Sequence, residues 1–290
     1  MKKIFLLFVA TFAMAISCSK EKPKEIDTPN KGKITVEADE SFKSVTEALA
    51  ERYMALNPET KIKVVIKKED LALLDLLDRK ARVVVMSREL SVKEKEAYDK
   101  KIDLPWLPGK FAADAVLFVV PKDSPLESIS TDEIFTELTS DKKRLIFDGT
   151  NSSNLNFVAQ KFKKNPADLK FSIINGNENV VEQLKNYPDK IGVISYNTIS
   201  RPFGEEAIKL RNELKVLKVI KGNKTYDVSS ENLKNMTYPF TRVLYFLTNE
   251  AYYGLGNGFI RFSCQQLGQI VVEKEGLQPY NIFRREVQMR

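Results

Sequence analysis

Short apolar runs alternate with helix-period segments along most of this chain, and the connections between them are short. Residues 33–38 read as a strand. Residues 41–56 carry Phe42, Val45, Leu49, Tyr53 and Leu56 at helical spacing, and Asn57-Pro58 stops that helix. Residues 61–66 form a strand, 69–80 a helix, 82–86 a strand and 91–101 a charged helix. Strand–helix alternation of this kind predicts a parallel sheet covered on both faces. Ligands of such sheets bind at the carboxyl ends of strands, where helices begin.

A long apolar strand follows at 112–120. The pattern then resumes with helix 131–138, strand 144–147, the loop 148–154, helices 155–162 and 178–186, and strand 190–195. Residues 216–220 and 225–228 add strands. A second long apolar strand lies at 239–247, before a helix over 259–274 closed by Gly276 and an edge strand at 280–288. The two long strands bracket the middle of the chain, which predicts two lobes joined by crossings at both. The first lobe comprises 33–115 plus 243–290 and the second 121–238.

Ahead of the domain, Lys2 and Lys3 precede an apolar run, 4–16, that ends at Ala15-Ile16-Ser17-Cys18. That run is shorter than the ~20 residues a membrane-spanning helix needs. A charged start, an apolar stretch and small residues at the cut define a secretory signal, 1–17. A cysteine at the cut resembles the bacterial lipobox, which implies lipidation of Cys18 and a location in the cell envelope. Residues 19–32 are polar and aperiodic, so 18–32 reads as a lipidated tether.

The chain contains no histidine, which removes His-based triads and nearly every common zinc site. No Gly-x-Ser-x-Gly elbow is present, and no Ser-x-x-Lys falls at Ser87 or Ser152. An enzyme is therefore not expected, nor a metal or cofactor. The formal charge of +7 becomes about +5 once Lys2 and Lys3 are cut away, and Lys and Glu are interleaved. This favours small anions over nucleic acid. Cys264 lies with Ile260, Leu267 and Val271 at helical spacing and is expected to be a small buried apolar residue.

The order of several segments carries a family likeness. Asp39-Glu40-Ser41-Phe42 opens a helix. Met86-Ser87-Arg88-Glu89-Leu90 follows a strand. Asn151-Ser152-Ser153-Asn154 opens another helix, and Tyr-Pro-x-x-Arg-x-Leu-Tyr stands at 238–245. Together they resemble the phosphate-binding, PstS-like substrate-binding proteins of ABC transporters, over about 33–288. The resemblance implies a two-lobed α/β fold of the type II periplasmic-binding-protein kind, with two sheets joined by two crossing strands. It also implies a monomer that serves membrane permease subunits and holds a small oxyanion, phosphate first, between its lobes. Mapped onto this chain, the ligand-binding residues are Ser41, Phe42, Ser87, Arg88, Asn151, Ser152 and Ser153. Helix N-termini and hydroxyls suit that task, because unsatisfied N–H groups and the helix dipole favour an anion.

Two departures from the family pattern stand out. The first loop is usually Gly-rich and here reads Ala38-Asp39-Glu40-Ser41. The third loop has Asp148 where an Arg is usual, Ser153 for a Gly and Asn154 for a Thr. These departures support an alternative, a surface lipoprotein that uses the same fold as a sensing or adhesion scaffold with a degenerate anion site.

Overall fold

The structure is a computed structural model that describes residues 27–282. Cys18, the signal segment and most of the expected edge strand at 280–288 lie outside the described residues. The chain runs β1 (Lys31–Ala38), α1 (Lys43–Leu56), β2 (Glu59–Ile66), α2 (Glu69–Leu77), β3 (Val83–Met86), α3 (Val92–Ile102) and β4 (Gly109–Pro121). It continues through β5 (Ser128–Ser130), α4 (Thr131–Thr139), β6 (Leu145–Phe147), α5 (Ser153–Lys161), β7 (Ser172–Ile173), α6 (Asn177–Leu184), β8 (Ile191–Ser195), α7 (Asn197–Ser200) and α8 (Glu205–Glu213). Last come β9 (Leu214–Val216), β10 (Lys218–Lys221), β11 (Lys224–Tyr226), α9 (Ser230–Lys234), β12 (Thr241–Thr248), α10 (Leu255–Cys264), α11 (Gln266–Lys274) and β13 (Gln278–Pro279).

The strands are ordered β2-β1-β3-β12-β4-β8-β6-β7. β2, β1 and β3 are mutually parallel, as are β8, β6 and β7. Between these triplets lie β12 and β4, antiparallel to each other and to their neighbours. β4 bridges the two halves. Its first part, to Ala115, pairs with β12, and Val116 to Val119 pair with β8. Its side chains from Phe111 to Pro121 are all buried, which explains an apolar run interrupted only by Asp114. The result is an α/β architecture with two sheets and mixed connections, of the type II periplasmic-binding-protein kind.

Each half has its own core. Val36, Phe42, Leu49, Phe111, Phe246 and Phe259 pack in the first, with Leu73, Val84, Met86 and Tyr98 on the opposite face of its sheet. Phe118, Phe147, Val158, Val193, Tyr238 and Phe240 pack in the second. β12 and the residues before it serve both, since Phe240 belongs to one core and Phe246 to the other.

Three features differ from the expectations above. The helix expected over 259–274 is two helices, broken at Gln265 in an extended conformation. The break lets Gly268 sit against Phe262 and Ser263, where a Cβ would come within 2.4 Å of the Phe262 carbonyl. Gln269 donates to the Ser263 and Phe111 carbonyls at 2.7 and 2.9 Å, satisfying groups that the break leaves over. Cys264 at that break is half-buried rather than fully buried. Finally, 27–32 does not hang free. Asp27 pairs with Arg82 at 2.7 Å, and the Tyr53 hydroxyl donates to the Pro29 carbonyl at 2.6 Å.

Candidate anion site

The carboxyl ends of β1, β3, β6 and β8 face one another across the two halves, and Asp39, Ser41, Ser87, Asp148, Ser152, Ser153 and Asn197 in the segments that follow them are buried, whereas Glu89, Thr150 and Asn151 are exposed. The chain leaves β1 at Ala38 and turns into a short 3-10 segment, Glu40–Phe42, capped by Asp39. Asp39 is fully buried. Its Oδ1 accepts the Ser41 N–H at 3.1 Å, the ordinary N-cap bond. Its Oδ2 accepts two further backbone N–H groups, Glu69 at 3.1 Å and Ser153 at 3.2 Å. Glu69 and Ser153 are the first residues of α2 and α5. Three helix starts, two from one half and one from the other, thus converge on one carboxylate.

Around this point the acids and bases are paired. Arg242 on β12 is buried and forks onto Asp114 of β4, with Nε and Nη2 at 2.8 and 2.7 Å from Oδ2. Its Nη2 also donates to Asn154 Oδ1 at 2.9 Å, and its guanidinium lies 4.7 Å from the Phe42 ring centre. Lys68 reaches across the halves to Asp148, 2.9 Å from Oδ2 and 2.7 Å from its carbonyl. Burial pushes the Asp148 carboxyl up and Asp39 adds to this, against the pull of Lys68. Burial alone would lower Lys68, but Asp148 and Asp39 outweigh it and hold the ammonium above its usual value.

Asn177 and Ser195 complete the layer. Asn177 donates to the Ser41 hydroxyl at 3.1 Å and accepts from the Ser195 N–H at 3.0 Å. The Ser195 hydroxyl lies 2.9 Å from both Asp114 Oδ2 and the Ser41 carbonyl. Two donors in this layer are buried without a hydrogen-bond partner among the described residues, the Ser153 hydroxyl and Arg242 Nη1. Orphans of this kind are uncommon in a packed interior.

Ser41, Phe42 and Ser153 lie in this layer. Ser152 adjoins it as the N-cap of α5, its Oγ accepting from Leu155 N–H and donating to the Gly149 carbonyl. Ser87 and Arg88 form a neighbouring cluster. Glu69 Oε1 accepts both the Ser87 N–H and hydroxyl, at 2.6 and 2.7 Å. The Arg88 guanidinium is taken up by Asp70 and Glu94, each 2.7 Å from Nη2, with Glu69 3.4 Å from Nε. Burial works to lower the Arg88 pKa, and Glu94, Glu69 and Asp70 outweigh it and raise it. Burial drives the Glu69 carboxyl up to about 7, despite Arg88 and Ser87. Asn151 is exposed, and its carbonyl accepts from Asp70 N–H at 3.5 Å.

The spacing of motifs did not reveal Arg242, Asp114, Asn177, Ser195 or Lys68. Arg242 stands inside the Tyr-Pro-x-x-Arg segment, so its signal was a lone Arg within a long apolar strand. Asp114 carries the same signal on β4.

A family model described as the PBP superfamily domain matches residues 23–266, and the chain belongs to that superfamily. Among curated proteins, the phosphate-binding protein PstS of Borreliella burgdorferi is 20% identical over 296 residues, spanning 95% of this chain and 97% of that protein. Two solved structures share the fold. One is a candidate phosphate ABC transporter substrate-binding protein with bound phosphate, from Clostridium perfringens. It has a TM-score of 0.69 at 18% identity, over 86% of this chain and 100% of that one. The other is an ABC-type phosphate transport receptor from Vibrio cholerae, with a TM-score of 0.63 at 17% identity and the same coverage.

Proposed function

We propose that this chain is the substrate-binding component of an ABC transporter and carries a small oxyanion, phosphate first, between its two halves. The observation that supports this most is the meeting of the Ser41, Glu69 and Ser153 amides at one buried point. Backbone N–H groups at helix starts hold an anion without a counter-charge. The Ser41 and Ser153 hydroxyls and Arg242 stand beside them as further donors, and the Arg242 guanidinium lies over the Phe42 ring. Ser87, Ser152 and Arg88 would support the loops. Nothing in the arrangement activates a nucleophile, so the ligand is held and released unchanged. The relatives described as phosphate-binding support the choice of ion. Titration calorimetry against phosphate, sulfate, molybdate and small carboxylates tests it. Saturable binding of phosphate is expected, and no binding of any small anion would end the transport reading.

The second reading, a scaffold for sensing or adhesion, is favoured by one fact. The amides that would hold the ligand already hold Asp39. In either reading the chain is anchored in the cell envelope through lipid on Cys18, and in the first it works as a monomer with permease subunits. Mass spectrometry of the native protein should find an acylated Cys18, and Cys18→Ala should free it from the membrane. An unmodified chain that starts elsewhere would remove the anchor.

A further inference from the structure

We infer that Asp39 determines which anions this site admits, by occupying with its own carboxylate the amides that an oxyanion would use. The inference rests on the oxyanion reading above and deepens it.

Three observations carry it. First, among the described residues the hydrogen bonds to the Asp39 carboxylate all come from backbone N–H groups, those of Ser41, Glu69 and Ser153. Only the Ser41 bond is local. The other two come from helices that begin 30 and 114 residues further along the chain, so N-capping does not account for them. Second, the neighbouring cations have acids of their own. Lys68 faces Asp148, Arg242 faces Asp114, and Arg88 faces Glu69, Asp70 and Glu94. Asp39 is the acid held as a free anion would be held. Third, the layer around the Asp39 carboxylate is incompletely satisfied. The Ser153 hydroxyl and Arg242 Nη1 are buried donors without a partner among the described residues. A carboxylate offers two oxygens, whereas a tetrahedral oxyanion offers four, enough to take up such leftover donors.

An incoming oxyanion and the Asp39 carboxylate cannot share these amides, since like charges at hydrogen-bonding range in a buried site repel strongly. Binding therefore requires Asp39 to leave, and the affinity measured is the affinity left after that displacement. Anions too weakly held to displace a carboxylate are excluded. Asp39 would also hold the halves together before ligand arrives, because Ser153 belongs to the opposite half. Removing its charge lifts both restraints at once.

The test is phosphate titration calorimetry of the wild-type protein beside Asp39→Ser and Asp39→Asn, with thermal melts to verify folding. Asp39→Asn is isosteric and keeps one acceptor for Ser41, so it carries the test if Asp39→Ser does not fold. Both variants are expected to bind phosphate at least tenfold more tightly than the wild type. Equal or weaker binding by the variants, with binding by the wild type intact, overturns the role of Asp39 and leaves the oxyanion reading standing. If neither wild type nor variants bind, the oxyanion reading falls and this inference with it. In the unaltered protein, the amide resonances of Glu69 and Ser153 should shift saturably with phosphate, and invariance of both during binding would overturn the displacement.

Discussion

The Asp39 carboxylate accepts the Ser153 amide at 3.2 Å, and this single bond joins the end of β1 to the start of α5 across the two halves of the chain. It does not act alone. Lys68 with Asp148, Asn177 with Ser41, and Asn156 with Asp70 cross the same boundary. The halves are therefore held against one another at this edge by polar contacts.

Arg242 should be the residue whose loss costs most. Arg242→Ala would leave the buried Asp114 carboxylate without its cation. Breaking such a pair typically costs about 3–5 kcal/mol. Urea denaturation should show that loss, and Arg242→Lys should fall between, since an ammonium cannot fork onto Asp114 and also reach Asn154. A change under 1 kcal/mol would show that the pair is not buried as described.

Arg88 is expected to matter for stability more than for ligand. Its guanidinium is committed to Asp70, Glu94 and Glu69. Arg88→Ala should cost about 2 kcal/mol, the scale of hydrogen bonds to charged groups. Phosphate affinity should change less than threefold. A tenfold loss of affinity without loss of stability would mean that Arg88 turns to the ligand.

Stability should fall as pH rises from mild acid to neutral. Glu69 binds its proton more tightly folded, near 7, than unfolded, near 4.5. Its contribution is fully present below the lower value and lost as pH rises through the higher one. The loss is on the order of 3 kcal/mol. Asp148, also raised, acts in the same direction. Denaturant melts between pH 5 and 8 should show the decline, and Glu69→Gln should flatten it. An unchanged slope in that variant would assign the effect elsewhere.

Gly276 ends α11 with φ +78°, where a Cβ would lie 2.1 Å from the Ser200 carbonyl oxygen. Ser200 in turn donates its hydroxyl to the Glu275 carbonyl at 2.6 Å. Gly276→Ala should cost at least 1–3 kcal/mol, from the left-handed backbone and the clash together. A melting temperature equal to wild type would contradict that packing.

Much of the fold was legible because period and punctuation agreed. The alternation from 33 to 101 gave β1 to α3 in order, and the two apolar runs at 112–120 and 239–247 correspond to β4 and the region of β12. What escaped was geometry with no periodic trace. The break at Gln265 leaves the apolar pattern nearly in phase, so two helices read as one. Helix α8 has a mostly charged sequence with only Ala207 and Leu210 buried, too thin a stripe to notice. At the site, Ser41 and Ser153 were legible as residues at helix starts. Asp39 was visible as an acid in a loop that the family likeness assigns to an anion. That it would close onto Glu69 and Ser153 was not, because those bonds depend on where two separate sheets bring their strand ends.

The most direct test is a crystal structure of the protein at saturating phosphate. The account predicts phosphate on the Ser41, Glu69 and Ser153 amides, with the Asp39 carboxylate turned away and the Ser153 hydroxyl and Arg242 Nη1 bonded to the ion. Phosphate bound elsewhere, or Asp39 still holding all three amides at saturation, would contradict it.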